Sequence, residues 1–128
     1  MIDYATLDLF LAALSLRDFE RFADCLAPSA RARMHLPRGF EVRTGRGEIA
    51  RCFEGWFAPA SDFVVLATGR QAIGTRCRLT WRFRLTRGDR APEIVEQVAF
   101  IDMSSEGIAG IDLLCSGFLV EQESPEVR

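Results

Sequence analysis

The hydrophobic period of this chain, mainly 3.6 residues before Pro59, is 2 throughout after it, and that change most constrains its fold. Before it, apolar side chains recur at helical spacing. Leu7, Phe10, Leu11 and Leu14 predict a helix over 4–15 with Asp3 as its cap. Asp18 heads a second helix over 19–26, with Phe19, Phe22 and Leu26 inward and Pro28 as its stop. Thr44 is placed to cap a third over 46–57, opened by Gly45-Arg46-Gly47-Glu48-Ile49 and striped by Ile49, Cys52, Phe53 and Trp56. Between the second and third, Ala30, Ala32, Met34 and Leu36 alternate with Arg31, Arg33 and His35. That stretch predicts a short strand with one buried face, closed by a turn at Pro37-Arg38-Gly39.

Beyond Pro59 the alternation predicts strands over 62–72, 76–86, 92–103 and 107–119. Their connections, at 73–75, 87–90 and 104–107, are short enough to force antiparallel neighbours. In 76–86, Cys77, Leu79, Trp81, Phe83 and Leu85 face one way and Arg76, Arg78, Thr80, Arg82 and Arg84 the other. Helices first and strands after predict an α+β domain, a curved, mainly antiparallel sheet around three N-terminal helices. At 128 residues the chain is one domain, read as 1–120, with a polar tail over 121–128.

A net charge of −2 argues against a nucleic-acid or anionic-membrane partner. All basic residues but His35 are arginine, so lysine Schiff-base chemistry is excluded. Cys25, Cys52, Cys77 and Cys115 match no metal or redox spacing and read as buried thiols. No metal site and no cofactor is expected. With no basic-then-apolar leader at Met1 and no membrane-length apolar run, a cytoplasmic location is expected.

Several segments carry a family resemblance: Phe10-Leu-Ala-Ala-Leu14 with Arg17-Asp18-Phe19, Leu26-Ala-Pro-Ser-Ala30, Pro37-Arg-Gly39, Gly45 before Ile49, and Gly107-Ile108. The chain resembles the NTF2-like superfamily, in its SnoaL-like and ketosteroid-isomerase-like group. The resemblance implies a cone-shaped α+β barrel, commonly dimeric, with a ligand cavity at its open end. It also implies members that isomerise, cyclise, dehydrate or only bind. Ketosteroid isomerases place phenol donors on the first and third helices and a carboxylate base after the second. Here those places hold Phe10, Phe53 and Leu36 (Met34 in a shifted register), none able to move a proton. The Arg-x-Asp pairing of this fold's epoxide hydrolases is replaced by Arg82-x-Arg84.

Three residues are candidates for chemistry. Glu96 lies mid-strand among apolar residues, in phase with Ile94, Val98, Phe100 and Asp102. In an apolar cavity its pKa would rise and it would act as acid or base; on the outside it would pair with Arg82 or Arg84. His35, the only histidine, falls in phase with Arg31 and Arg33 unless a bulge near Pro37 reverses it. Asp112 falls in phase with Leu114 and Ser116, opposite Ile111, Leu113 and Cys115. Phe10, Leu36, Phe53, Trp56, Trp81, Phe83, Val98, Phe100 and Leu113 are the expected lining of a ligand cavity. The expected function is binding of a small, mostly apolar organic molecule by a homodimer packed through its sheet. The alternatives are a cyclase, isomerase or dehydratase using Glu96, and a scaffold domain with a filled cavity.

Overall fold

The computed structural model describes residues 2–122. Helices α1 (Tyr4–Ser15) and α2 (Phe19–Asp24) come first, then strands β1 (Leu26–Leu36) and β2 (Gly39–Thr44), then α3 (Arg46–Phe57). Strands β3 (Asp62–Ile73), β4 (Arg76–Thr86), β5 (Glu93–Ser104), β6 (Gly107–Cys115) and β7 (Leu119–Val120) follow. They form one sheet of order β2-β1-β6-β5-β4-β3, with β7 on β5. All pairings are antiparallel except β1 with β6, which closes the N-terminal half onto the C-terminal half.

The caps follow local chemistry. Asp3 accepts from the backbone N–H of Thr6, and Asp18 from that of Arg21. The second helix is shorter than its pattern predicts: it ends at Asp24, and Leu26 and Pro28 belong to β1. Thr44 does not cap α3. It ends β2 opposite Arg31, and Gly45, with φ +95°, turns the chain into the helix. The Gly45 N–H donates to Ala30 O at 2.7 Å, so β1 fixes where α3 begins. Strand β2 went unpredicted because neither of its faces is fully buried, which blurs the alternation. The last long strand is broken at Ser116–Phe118, leaving β7 to resume against Glu93 and Ile94.

The helices lie on the inner face of the sheet. Leu7, Phe10, Leu14, Phe22, Ile49, Phe53 and Phe57 bury themselves against Ala32, Met34, Leu79, Trp81, Phe83, Val95 and Leu113. Arg17 staples the far end: its guanidinium donates to Phe57 O and Ala60 O at 3.2 and 2.8 Å and lies over the Phe63 ring. It thereby meets the negative end of the α3 dipole. Glu121, read as tail, is tied in: its N–H donates to Pro92 O and its carboxylate pairs with Arg84. Residues 123–128 lie outside the described residues.

Gly107 tests the closure. At φ +119° it sits against the α2–β1 junction, where a Cβ would meet Cys25 O at 2.8 Å and Ala27 N at 3.3 Å. That carbonyl already accepts from the Ile108 N–H at 3.0 Å, so it cannot retreat without loss. We expect Gly107→Ala to cost about 2 kcal/mol or more, read from urea unfolding midpoints at constant slope. An unchanged midpoint would show that this junction yields freely.

Candidate functional site

The interior of the cone is filled rather than open. Phe10 stacks on Phe22 at 4.7 Å between centroids, Phe22 on Phe53 at 4.8 Å, and both Phe10 and Phe53 reach Trp81, at 6.1 and 6.4 Å. Phe83 packs on Phe57 at 5.2 Å. Of the residues expected to line a ligand, Phe10, Phe53, Trp81, Phe83 and Leu113 are therefore closely packed core. Val98 and Phe100 lie on the other side of the sheet, because Val95, Gln97, Ala99 and Ile101 hold the inward phase of β5.

The open space lies at the mouth of the cone, where β1 and β6 end beside the last turn of α3. A cleft of about 450 Å³ is walled there by Leu36, Pro37, Gly55, Trp56, Cys115, Gly117 and Phe118. Leu36 and Trp56 are the two expected lining residues that it contains. Its charged groups are Arg38, Glu41 and Arg87. The Glu41 carboxylate is taken by Arg43. Arg87 lies with its guanidinium 4.7 Å from the centre of the Phe118 ring.

Beside Cys115, on the same inner face, stands Gln97. It is fully buried, and it is the one polar side chain in the core among the described residues. Its Oε1 accepts from the Trp81 indole N–H at 2.7 Å. Its Nε2 is buried without an acceptor. A buried amide donor left unpaired costs about 1–3 kcal/mol, so its retention calls for an explanation. The sequence contained the signal: Gln97 is the polar residue in the phase opposite Glu96.

The three candidates for chemistry all face away from the cleft. The Glu96 carboxylate accepts from Arg82 Nε and Nη2 at 3.0 and 2.7 Å on the outer face, the second of its two placements. His35 is exposed on that face too, its ring 4.9 Å from that of Phe40; no bulge reverses it. Asp112 accepts from Arg33 Nε and Nη2 at 2.6 and 2.9 Å and from Arg76 Nη2 at 2.6 Å. Arg76 in turn grips Asp102. His35 and Asp112 border one shallow outer depression with Arg33 and Phe40; Glu96 lies apart from it. The Arg33 contact, helped by Arg76, holds Asp112 below the usual carboxylate range.

Another groove, of about 480 Å³, runs between α1, α2 and the β5–β6 turn. It is floored by Leu9, Ala12 and Leu16 and edged by Asp3, Asp18 and Glu106. No orphaned buried polar atom belongs to it. Among the described residues no three His, Cys, Asp or Glu side chains gather as a metal site would require. No helix described is long and apolar enough to cross a membrane. All four cysteines are free, and burial pushes the Cys25 and Cys52 thiols up.

With this geometry in hand, the SnoaL-like domain model matches residues 7–110. The chain belongs to the SnoaL-like family. No curated protein matches it in sequence. Among solved structures it is similar to a candidate ketosteroid isomerase from Kribbella flavida: 25% identity over 97% of this chain and 82% of that one, TM-score 0.63. A candidate polyketide cyclase from Xanthomonas campestris shares the fold at 15% identity, covering 87% of each chain, TM-score 0.67. An NTF2-like protein from Burkholderia xenovorans does so at 16% identity over 95% and 86%, TM-score 0.61. This SnoaL-like domain thus keeps the α+β cone of its relatives.

The Asp112 cluster carries a pH signature. Because the folded carboxylate binds protons more weakly than the unfolded one, its ion pairs stabilise fully above about pH 4 and fade as pH falls through the lower folded value. Asp112→Asn should cost about 1 kcal/mol at pH 7. The difference from the parent should shrink as pH falls below the ordinary aspartate range and through the lower folded value, measured by denaturant unfolding at each pH. A difference that persists in acid would assign the loss to packing instead.

Proposed function

We propose that this SnoaL-like domain is a binding module. It takes a small, mostly apolar organic molecule into the cleft at the cone mouth, with a ligand acceptor oxygen on the Gln97 amide. The observation that carries this reading is the orphaned Gln97 Nε2, fully buried beside a cleft wall. A carbonyl, ether or hydroxyl oxygen reaching past Cys115 would supply the missing acceptor. Leu36, Trp56, Cys115 and Phe118 would cover the apolar body.

Binding is favoured over acid–base catalysis by what the inner face lacks. The three positions to which the resemblance assigns proton-moving groups hold Phe10, Leu36 and Phe53, and none of these side chains moves a proton. The carboxylate of Glu96 is held by Arg82 on the opposite face, so the enzymatic alternative loses its acid.

The same outer face suggests a second copy of this chain as partner. Leu114 is 60% exposed there, beside the Arg33–Asp112–Arg76–Asp102 row. Charges of alternating sign are self-complementary about a two-fold axis.

Gly55 gives the sharpest test of the cleft. A Cβ built on it meets nothing within 4 Å, so Gly55→Phe adds a ring at the cleft wall without disturbing the core. We expect 2-acetylnaphthalene to bind the parent with micromolar Kd by calorimetry, and Gly55→Phe to weaken it at least about tenfold while the thermal midpoint holds or rises. Gln97→Leu should weaken the ketone by about tenfold and 2-ethylnaphthalene far less. Equal losses for both, or none, would remove Gln97 from the site. For the assembly, sedimentation should give a dimer that Leu114→Glu converts to monomer; a parent that sediments as a monomer would end that proposal.

A further inference from the structure

The cleft holds more hydrogen-bond donors than acceptors, and the excess is cationic. Arg87 is the clearest case. Its Nε is buried with no hydrogen-bond acceptor, and the nearest carboxylate oxygen, Glu93 Oε1, stands 3.8 Å away, too far for a hydrogen bond. Arg38, which also lines the cleft, is exposed and makes no ion pair among the described residues. The cleft's one carboxylate, Glu41, is already neutralised by Arg43, so it answers neither. The Arg87 side chain is 31% exposed, so it is the buried Nε and not the whole guanidinium that lacks a partner; an unpaired buried donor is costly, and the cost is recovered when an acceptor oxygen arrives.

Arg87 is also held in advance. Its guanidinium lies over the Phe118 ring, which limits the conformational freedom that binding would otherwise have to remove. The wall beside it is tightly packed: a Cβ on Gly117, where φ is +93°, would meet Pro37 Cγ at 2.9 Å. A planar fork of N–H donors, fixed in place beside an apolar wall, matches a carboxylate better than any neutral group.

We propose that the ligand of this cleft is an apolar carboxylic acid, bound as its carboxylate, with the charged head on Arg87 and Arg38 and the hydrocarbon body against Trp56 and Leu36. This rests on the cleft being the binding site, and adds to it the charge of the ligand. Gln97 then receives a second, uncharged oxygen where the acid carries one. The class selected is an amphipathic organic anion, and neutral or cationic molecules with the same body are disfavoured.

The test is a matched set on one ring system: 2-naphthoic acid, its methyl ester, and 2-naphthylmethylamine, titrated calorimetrically at pH 7. The parent should bind the acid about tenfold or more tightly than the ester, and the amine weakest. Arg87→Gln should bring the acid down to the affinity of the ester. Arg38→Gln, at an exposed position where folding is not at stake, should remove a smaller part, about threefold. Raising the salt concentration should weaken the acid alone. If ester or amine binds as tightly as the acid, and Gly55→Phe still blocks both, the cleft stands and the anion inference falls. If Gly55→Phe blocks none of the three, or none binds, the cleft reading itself falls and this inference with it.

Discussion

Trp81 is the point on which the rest of this structure depends. It is the largest fully buried side chain, placed mid-way along β4 in the centre of the inner face. Phe10 from α1 and Phe53 from α3 both pack on its ring, so two helices are aligned through one side chain. An indole buried so deeply needs an acceptor for its N–H. Gln97 Oε1 provides it across the β4–β5 pair. The amide cannot accept without also presenting its NH₂ group, and that group is the one left unpaired. The core's need for an acceptor and the orphan donor beside Cys115 are thus two ends of a single side chain.

Much of this was legible in the sequence because the side-chain period is so regular. The inward row of β4 and the outward row of arginines fall where strict alternation puts them. Asp112 and His35 fall in their expected phases for the same reason, since the β1–β6 register, irregular only before Arg31, carries Arg33 opposite Asp112 and His35 opposite Leu114. What was not legible was set by contacts distant in sequence. Thr44 has the right chemistry for a cap, but pairing with Arg31 keeps it in a strand and hands the helix start to Gly45. The parallel β1–β6 pair leaves no local mark on either segment. Arg87 sits in a polar turn, and only the fold brings Phe118 beneath it.

The sheet divides the protein's polar groups by face. Nearly every strand carboxylate singled out by the sequence lies outside, matched to an arginine: Glu96 to Arg82, Asp112 to Arg33 and Arg76, Asp102 to Arg76. These pairs are partly exposed and individually worth little, but they satisfy one another and need no ligand. Inside, among the described residues, the count runs the other way, with one amide, no carboxylate, and a half-buried arginine at the rim. A face whose charges are mutually satisfied is suited to packing against another surface. A face with surplus donors is suited to capturing acceptors.

That asymmetry also explains how a fold of this family can lose one chemistry while keeping its architecture. The resemblance assigns proton-moving groups to positions now held by Phe10, Leu36 and Phe53. Once those positions are apolar, the helices are free to close on the sheet, and the ring chain from Phe22 through Phe53 to Trp81 fills the space a buried substrate would need. Close packing of that kind is favourable and leaves no reason for the interior to stay open. The volume that remains is displaced to the rim, where Gly55 leaves room and where β6 breaks at Ser116–Phe118 before β7 resumes. The break turns Phe118 toward the rim beneath Arg87, so the same irregularity that ends the strand builds the one half-buried cationic wall of the cleft.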